Sequence, residues 1–147
     1  MEQEILAIFA EEAGEMLARL DELFMSLENN KGLEAAEKDE TKRLLHNIKG
    51  TSYSLGLNSI ADLTHLLEEH IAKHEILPQH GAYFLAYVDK LREFLTLTEN
   101  GKTDHAVQLI SIFFDELQKE SEKDVDEKGH EDHEQKTPAS PAPSPSP

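Results

Sequence analysis

Apolar residues recur at three- and four-residue spacing through five successive stretches of the chain, and no stretch alternates as a half-buried strand would. That period places side chains along one face of a helix, so the chain is constrained to an all-α fold whose helices bury those faces against one another. The first stretch runs from about Glu2 to Glu28, with Ile5, Phe9, Ala13, Met16, Leu20, Leu23 and Leu27 on one face and Gly32 as a left-handed cap after it. The second runs from about Leu33 to Leu55, carries Leu44, Leu45 and Ile48, and closes at Gly56. The third begins after Asn58 and Ser59, with Ser59 and Asp62 in the places of a capping box, and ends before Pro78. Its apolar positions are Ile60, Leu63, Leu66, Leu67 and Ile71. The fourth spans about Ala82 to Glu99, with Phe84, Tyr87, Val88, Leu91, Phe94 and Leu95 inward. The fifth starts near Thr103 or Asp104 and presents Val107, Leu109, Ile110, Phe113, Phe114 and Leu117. Short connections favour antiparallel neighbours, so the expected architecture is an up-and-down four-helix bundle with an additional fifth helix.

From about Lys119 the pattern changes. Residues 120–135 are charged without apolar period, and residues 137–147 are almost wholly Pro, Ser and Ala. Such a segment cannot bury enough apolar surface to fold alone. The expected organisation is therefore a bundle over residues 1–119 and a disordered, linker-like tail over residues 120–147. A Pro/Ser-rich end of this kind suggests a piece of a longer chain.

Charge narrows the class of partner. The formal net charge is −16; residues 120–147 carry −5 of it and residues 1–119 carry −11. Nucleic acid and anionic lipid both call for a basic surface, so neither is expected as a partner. There are no cysteines, which removes disulfides and thiolate metal sites. No signal peptide or membrane span is read from the sequence, and a soluble, cytoplasmic, monomeric domain is expected.

One constellation carries chemistry. His46, Lys49 and Gly50 lie on one helical face at intervals of three and four. Gly50 in mid-helix costs about 1 kcal/mol against alanine, and close approach by a partner would offset it. On the next helix His65 and Glu68 again share a face. In an antiparallel hairpin turning at Gly56, His46 lies roughly 15 Å before the turn, His65 roughly 13.5 Å after it and Glu68 roughly 18 Å after it. Four polar groups from two helices can therefore converge. A lone helical histidine is ordinarily a surface residue; the matched set is what singles out His46.

The spacing of His46, Lys49, Gly50, His65 and Glu68, with Phe9-Ala10-Glu11-Glu12-Ala13 and the Leu55-Gly56-Leu57 turn, resembles the N-terminal histidine phosphotransfer domain of CheA-type chemotaxis kinases. The resemblance covers about residues 5–117; Leu57 stands where many relatives have Phe. It implies that His46 accepts the γ-phosphoryl of ATP from a kinase catalytic domain and passes it to an aspartate of a response-regulator receiver domain. Lys49, His65 and Glu68 would form the hydrogen-bonded surroundings of His46, and Gly50 would face the partner. A carboxylate taking the Nδ1–H of a neutral imidazole leaves Nε2 as nucleophile, a role suited to Glu68.

The chain has no Gly-rich phosphate loop and no carboxylate pattern suited to nucleotide-bound magnesium, so ATP and Mg2+ belong to the partner kinase domain and no cofactor is expected here. The domain is then a phosphocarrier and not itself an enzyme. A free-standing phosphorelay shuttle and a helical interaction module without phosphate chemistry are the alternatives. His70 and His74 are four apart but lack an evident third metal ligand and read as a solvated face; a di-iron bundle would need two Glu-x-x-His motifs, and only Glu127 to His130 fits.

Overall fold

The computed structural model describes residues 3–74 and 76–120. Among them the chain is all-α. Helix α1 covers Gln3–Ser26 and widens into a π-helical turn at Leu27–Lys31; α2 covers Ala35–Ser54, α3 Asn58–Lys73 and α4 Gly81–Glu99, the last entered through a 3-10 turn at Pro78–His80. A fifth helix, α5, occupies residues 103–120. The chain divides into two compact units, residues 1–114 and residues 115–147. The first holds the four-helix bundle; in the second, residues 115–120 are helical. The tail expected over residues 120–147 lies, Glu120 apart, outside the described residues.

In the bundle α1 packs on α2 and α4, and α2 packs most extensively on α3. The α3–α4 edge is tied by a buried hydrogen bond of 2.8 Å between Thr64 Oγ1 and the Tyr87 hydroxyl. Because Thr64 already donates to the Ile60 carbonyl at 2.8 Å, the phenol must be the donor. Burial raises the pKa of that phenol far above its ordinary value, so it holds its proton at any ordinary pH. On the opposite side, Arg19 of α1 forms a two-pronged bond to Glu40 of α2, Nε to Oε2 at 2.7 Å and Nη2 to Oε1 at 2.8 Å.

The core draws on α1 through Leu6, Phe9, Ala13, Leu17, Leu20, Leu23, Phe24 and Leu27. This differs from the expected stripe: Ile5 and Met16 are only half-buried, whereas Leu6, Leu17 and Phe24 are enclosed. A helix that faces two neighbours buries more than one periodic series. Similarly, Leu44, Leu55 and Leu66 are half-buried, while Thr41, Ser52 and Thr64 are enclosed. Each of those three hydroxyls is satisfied by the carbonyl one turn back, at 2.7–2.8 Å. In α5, Ala106, Ile110 and Phe113 are buried, but Val107, expected inward, is exposed.

The α2–α3 turn fixes the hairpin that matters for function. Gly56 has φ +78°, and the Leu57 and Gly56 amides donate to the Ser52 and Tyr53 carbonyls at 2.8 and 3.1 Å. That is a Schellman arrangement, with buried Leu57 following the left-handed residue. It differs from the expected entry to α3, because Leu57 is the residue that precedes the helix and no side-chain cap forms. Asp62 does not act as a capping partner of Ser59; its carboxylate accepts from Tyr53.

Gly81 opens α4 against the π-turn of α1. A Cβ there would lie 2.9 Å from both the Cα and the Cβ of Glu28. Gly81→Ala is expected to destabilise the bundle by about 1–3 kcal/mol, because a backbone must shift to admit the methyl group. A fall in the urea midpoint at unchanged slope would check this.

Candidate functional site

The α2–α3 hairpin brings three of the sequence-identified residues together. His46 and Lys49 project from α2, one turn apart, and Glu68 projects from α3 between them. Nδ1 of His46 is 3.5 Å from Glu68 Oε2, and Lys49 Nζ is 2.7 Å from Glu68 Oε1. The imidazole approach is longer than a well-formed N–H···O bond, which lies near 2.9–3.0 Å, so the carboxylate orients the ring without clamping it. Turning Nδ1 toward α3 leaves Nε2 on the far side of the ring, and the His46 side chain is 71% exposed.

Burial differs sharply within this set. The side chains of Glu68 and Lys49 are 18% and 20% exposed. Oε1 of Glu68 is shut off from solvent and its approach to Lys49 is an ion pair off the direction of a good hydrogen bond. The charge of the carboxylate is thus offset by the ammonium alone at that oxygen. Lys49 therefore spends its charge on Glu68 in this state of the molecule.

His65 is not drawn into this cluster. Its Nε2 lies 3.7 Å from Glu69 Oε1, one turn along its own helix, and both side chains are about half exposed. Glu69 also meets Lys73 at 3.5 Å. The adjacent acids Glu68 and Glu69 thus point to different neighbours, the first across the hairpin and the second along α3.

Gly50 is exposed on the His46 face, and a Cβ added there would meet nothing within 4 Å. Nothing among the described residues requires its bareness. The imidazoles of His70 and His74 lie 4.8 Å apart, and His80 crosses His70 edge-on at 4.9 Å. Among the described residues no group of three or more His, Cys, Asp or Glu could hold a metal ion. No helix among them is long and apolar enough to cross a membrane.

The family model of the Hpt domain matches residues 4–99, which include all of this hairpin. The chain belongs to the Hpt domain family. Its role is accordingly that of a phosphocarrier, holding a phosphoryl group on histidine between a kinase and a receiver domain. The Hpt domain described here is also similar to chemotaxis protein CheA of Borreliella burgdorferi, with 32% identity over 105 residues, 68% of this chain. It spans only 12% of that protein's length.

Two features of this Hpt domain escape a reading of helical spacing. His80 is buried, and its Nδ1 accepts the Leu77 amide at 3.0 Å; the Pro78-Gln79-His80 turn was its local signal. Tyr53 continues the His46 stripe, at seven residues' distance, and stands exposed.

Proposed function

We propose that His46 is the phosphoacceptor of this domain and that the parent protein is a chemotaxis histidine kinase of the CheA type. The observation that carries the assignment is the Glu68 carboxylate 3.5 Å from His46 Nδ1 on an otherwise exposed ring. A neutral imidazole protonated at Nδ1 has its lone pair at Nε2. That pair attacks the γ-phosphorus of ATP held by a kinase catalytic domain; the N–P bond forms as the bond to the bridging oxygen breaks, and ADP leaves with that electron pair. The ring becomes cationic while it keeps the Nδ1 proton, and Glu68 opposes that charge from the neighbouring helix.

In the second step a carboxylate oxygen of a receiver aspartate attacks the same phosphorus. The N–P bond breaks, its electrons return to Nε2, and neutral His46 is regenerated. Lys49 holds Glu68 in place during both steps. Gly50 lets a partner approach the backbone of α2 beside the reacting nitrogen. The similarity to a protein named for chemotaxis supports the CheA-type parent over a free-standing shuttle.

Incubating the chain with ATP, Mg2+ and the kinase core of a CheA-type protein tests this. The expected product is one phosphate per chain, labile in acid and stable in base. Acid-stable phosphate, or none, would overturn the proposal.

A further inference from the structure

Residues 1–119 carry a net charge of −11, yet the open side of α2 is basic around one residue. Lys42 and Arg43 stand one turn before His46, and Lys49 stands one turn after it. These cations are not alike. Lys49 is held by Glu68 at 2.7 Å. Lys42 and Arg43 are exposed and enter no ion pair among the described residues. Glu40, three residues before Arg43, is already bound in two-pronged fashion by Arg19, at 2.7 and 2.8 Å. That bond holds the Glu40 carboxyl below its ordinary range, and Arg43 adds least to the lowering. The charge of Arg43 is therefore uncommitted.

Helical phase places that charge beside the reacting nitrogen. At 3.6 residues per turn, Arg43 lies about 60° round α2 from His46 on one side and Lys49 about 60° round on the other. Lys42 lies about 40° round, on the Lys49 side. The Lys49 side is the one that faces α3, because there Glu68 meets both Lys49 and Nδ1 of His46. Nε2, the far nitrogen of the ring, opens on the Arg43 side. Gly50 lies about 40° round on that same side. A Cβ added to Gly50 would meet nothing within 4 Å, so the space beside Nε2 is clear. Long helical side chains lean over the turn that precedes them, which lays the His46 imidazole toward the turn carrying Arg43. Side chains three residues apart begin about 5–6 Å from each other, a gap that an arginine spans.

A phosphoryl group brings up to about two negative charges and three strong acceptor oxygens to this spot. Lys49 cannot turn to it without leaving unpaired a Glu68 oxygen that is shut off from solvent. A second cation has to offset the new charge, and a guanidinium can donate to two phosphoryl oxygens at once. We propose that Arg43 receives the phosphoryl group on His46, its guanidinium donating to the phosphoryl oxygens beside Nε2, an inference that rests on the phosphoacceptor reading above. Arg43 makes and breaks no covalent bond. It stabilises the phosphorylated chain relative to the free one, in which it has no anionic partner.

The test reads an equilibrium, because a kinase sets how fast the end point is reached and not where it lies. The full chain is brought to equilibrium with ATP, ADP, Mg2+ and a catalytic amount of a CheA-type kinase core, approached from both directions. The ratio of phosphorylated to free chain is then read at fixed ATP and ADP. A change in docking alters the approach and leaves that ratio alone. Arg43→Gln is expected to lower the equilibrium constant about three- to fivefold at low salt. At about 0.5 M salt the difference should shrink below twofold, since exposed charges are screened. Arg43→Lys, which keeps the charge, and Lys42→Gln, on the α3 side, are each expected to stay within twofold of wild type. A loss that Arg43→Lys shares in full would overturn the proposal by making the effect structural. An equal loss in Lys42→Gln would overturn it by making the effect one of general charge. A wild-type chain that takes up no phosphate would overturn the phosphoacceptor reading and the part of Arg43 with it; normal wild-type phosphorylation beside an unchanged constant in Arg43→Gln would overturn the part of Arg43 alone.

Discussion

Replacing His46 with Gln is expected to reduce phosphate incorporation to background while the helical content and melting temperature stay at their wild-type values. The substitution acts on chemistry because glutamine keeps a polar, similarly sized side chain but offers no nucleophilic nitrogen; its amide lone pair is delocalised into the carbonyl. It spares the fold because the His46 side chain is 71% exposed and its nearest partner is 3.5 Å away. Exposed positions without a buried network usually move stability by no more than about 0.5 kcal/mol. The matching control is His65→Gln. His65 turns toward Glu69 at 3.7 Å, so its loss is expected to change labelling less than threefold. Labelling with an ATP-loaded kinase core, read for both variants in one gel, decides the matter. A His46→Gln chain that still takes up base-stable phosphate would place the acceptor elsewhere.

Much of this site was legible in the order of residues because it depends on two local quantities. One is helical phase, which put His46 and Lys49 on a common face and Glu68 opposite them. The other is the turn, since a glycine with φ +78° at position 56 sets the register of α2 against α3. What spacing could not supply is the choice a side chain makes among neighbours of equal reach. His65 had Glu69 four residues on and Glu68 three residues on, and only the packed hairpin shows the ring turned along its own helix. The fold follows the same division. Helix existence was readable from period, but the π-turn at Leu27–Lys31 was not, because a shift from four- to five-residue hydrogen bonding leaves the apolar spacing nearly unchanged. The start of α3 departs from the expected one for a related reason: Asn58 and Ser59 are good capping residues, yet the Schellman turn and the burial of Leu57 set the cap at Leu57, two residues before Ser59. The enclosed Thr64 and Tyr87 depend on a contact between residues 23 apart in sequence, which no local pattern encodes.

Glu68→Gln is expected to slow labelling about two- to thirtyfold with the fold retained. The variant keeps the shape of the side chain and an acceptor oxygen, so it removes charge rather than contact. Charge matters here because the imidazole becomes cationic as Nε2 bonds to phosphorus, and a hydrogen bond to a charged group contributes about 1.5–3 kcal/mol against about 1 for a neutral pair. Each 1.4 kcal/mol of lost transition-state stabilisation corresponds to about tenfold in rate. The bundle survives because Lys49, left without its anionic partner, is 20% exposed and can turn its ammonium to water. Glu69→Gln is the discriminating comparison. Glu69 is the next residue along the chain but faces His65 and Lys73, and its loss is expected to leave the rate within twofold. Single-turnover labelling at saturating kinase isolates the chemical step from docking. If Glu69→Gln proves the slower of the two, the carboxylate that steers His46 is not the one that α2 and α3 bring together at the hairpin, and the orientation of the imidazole must come from another source.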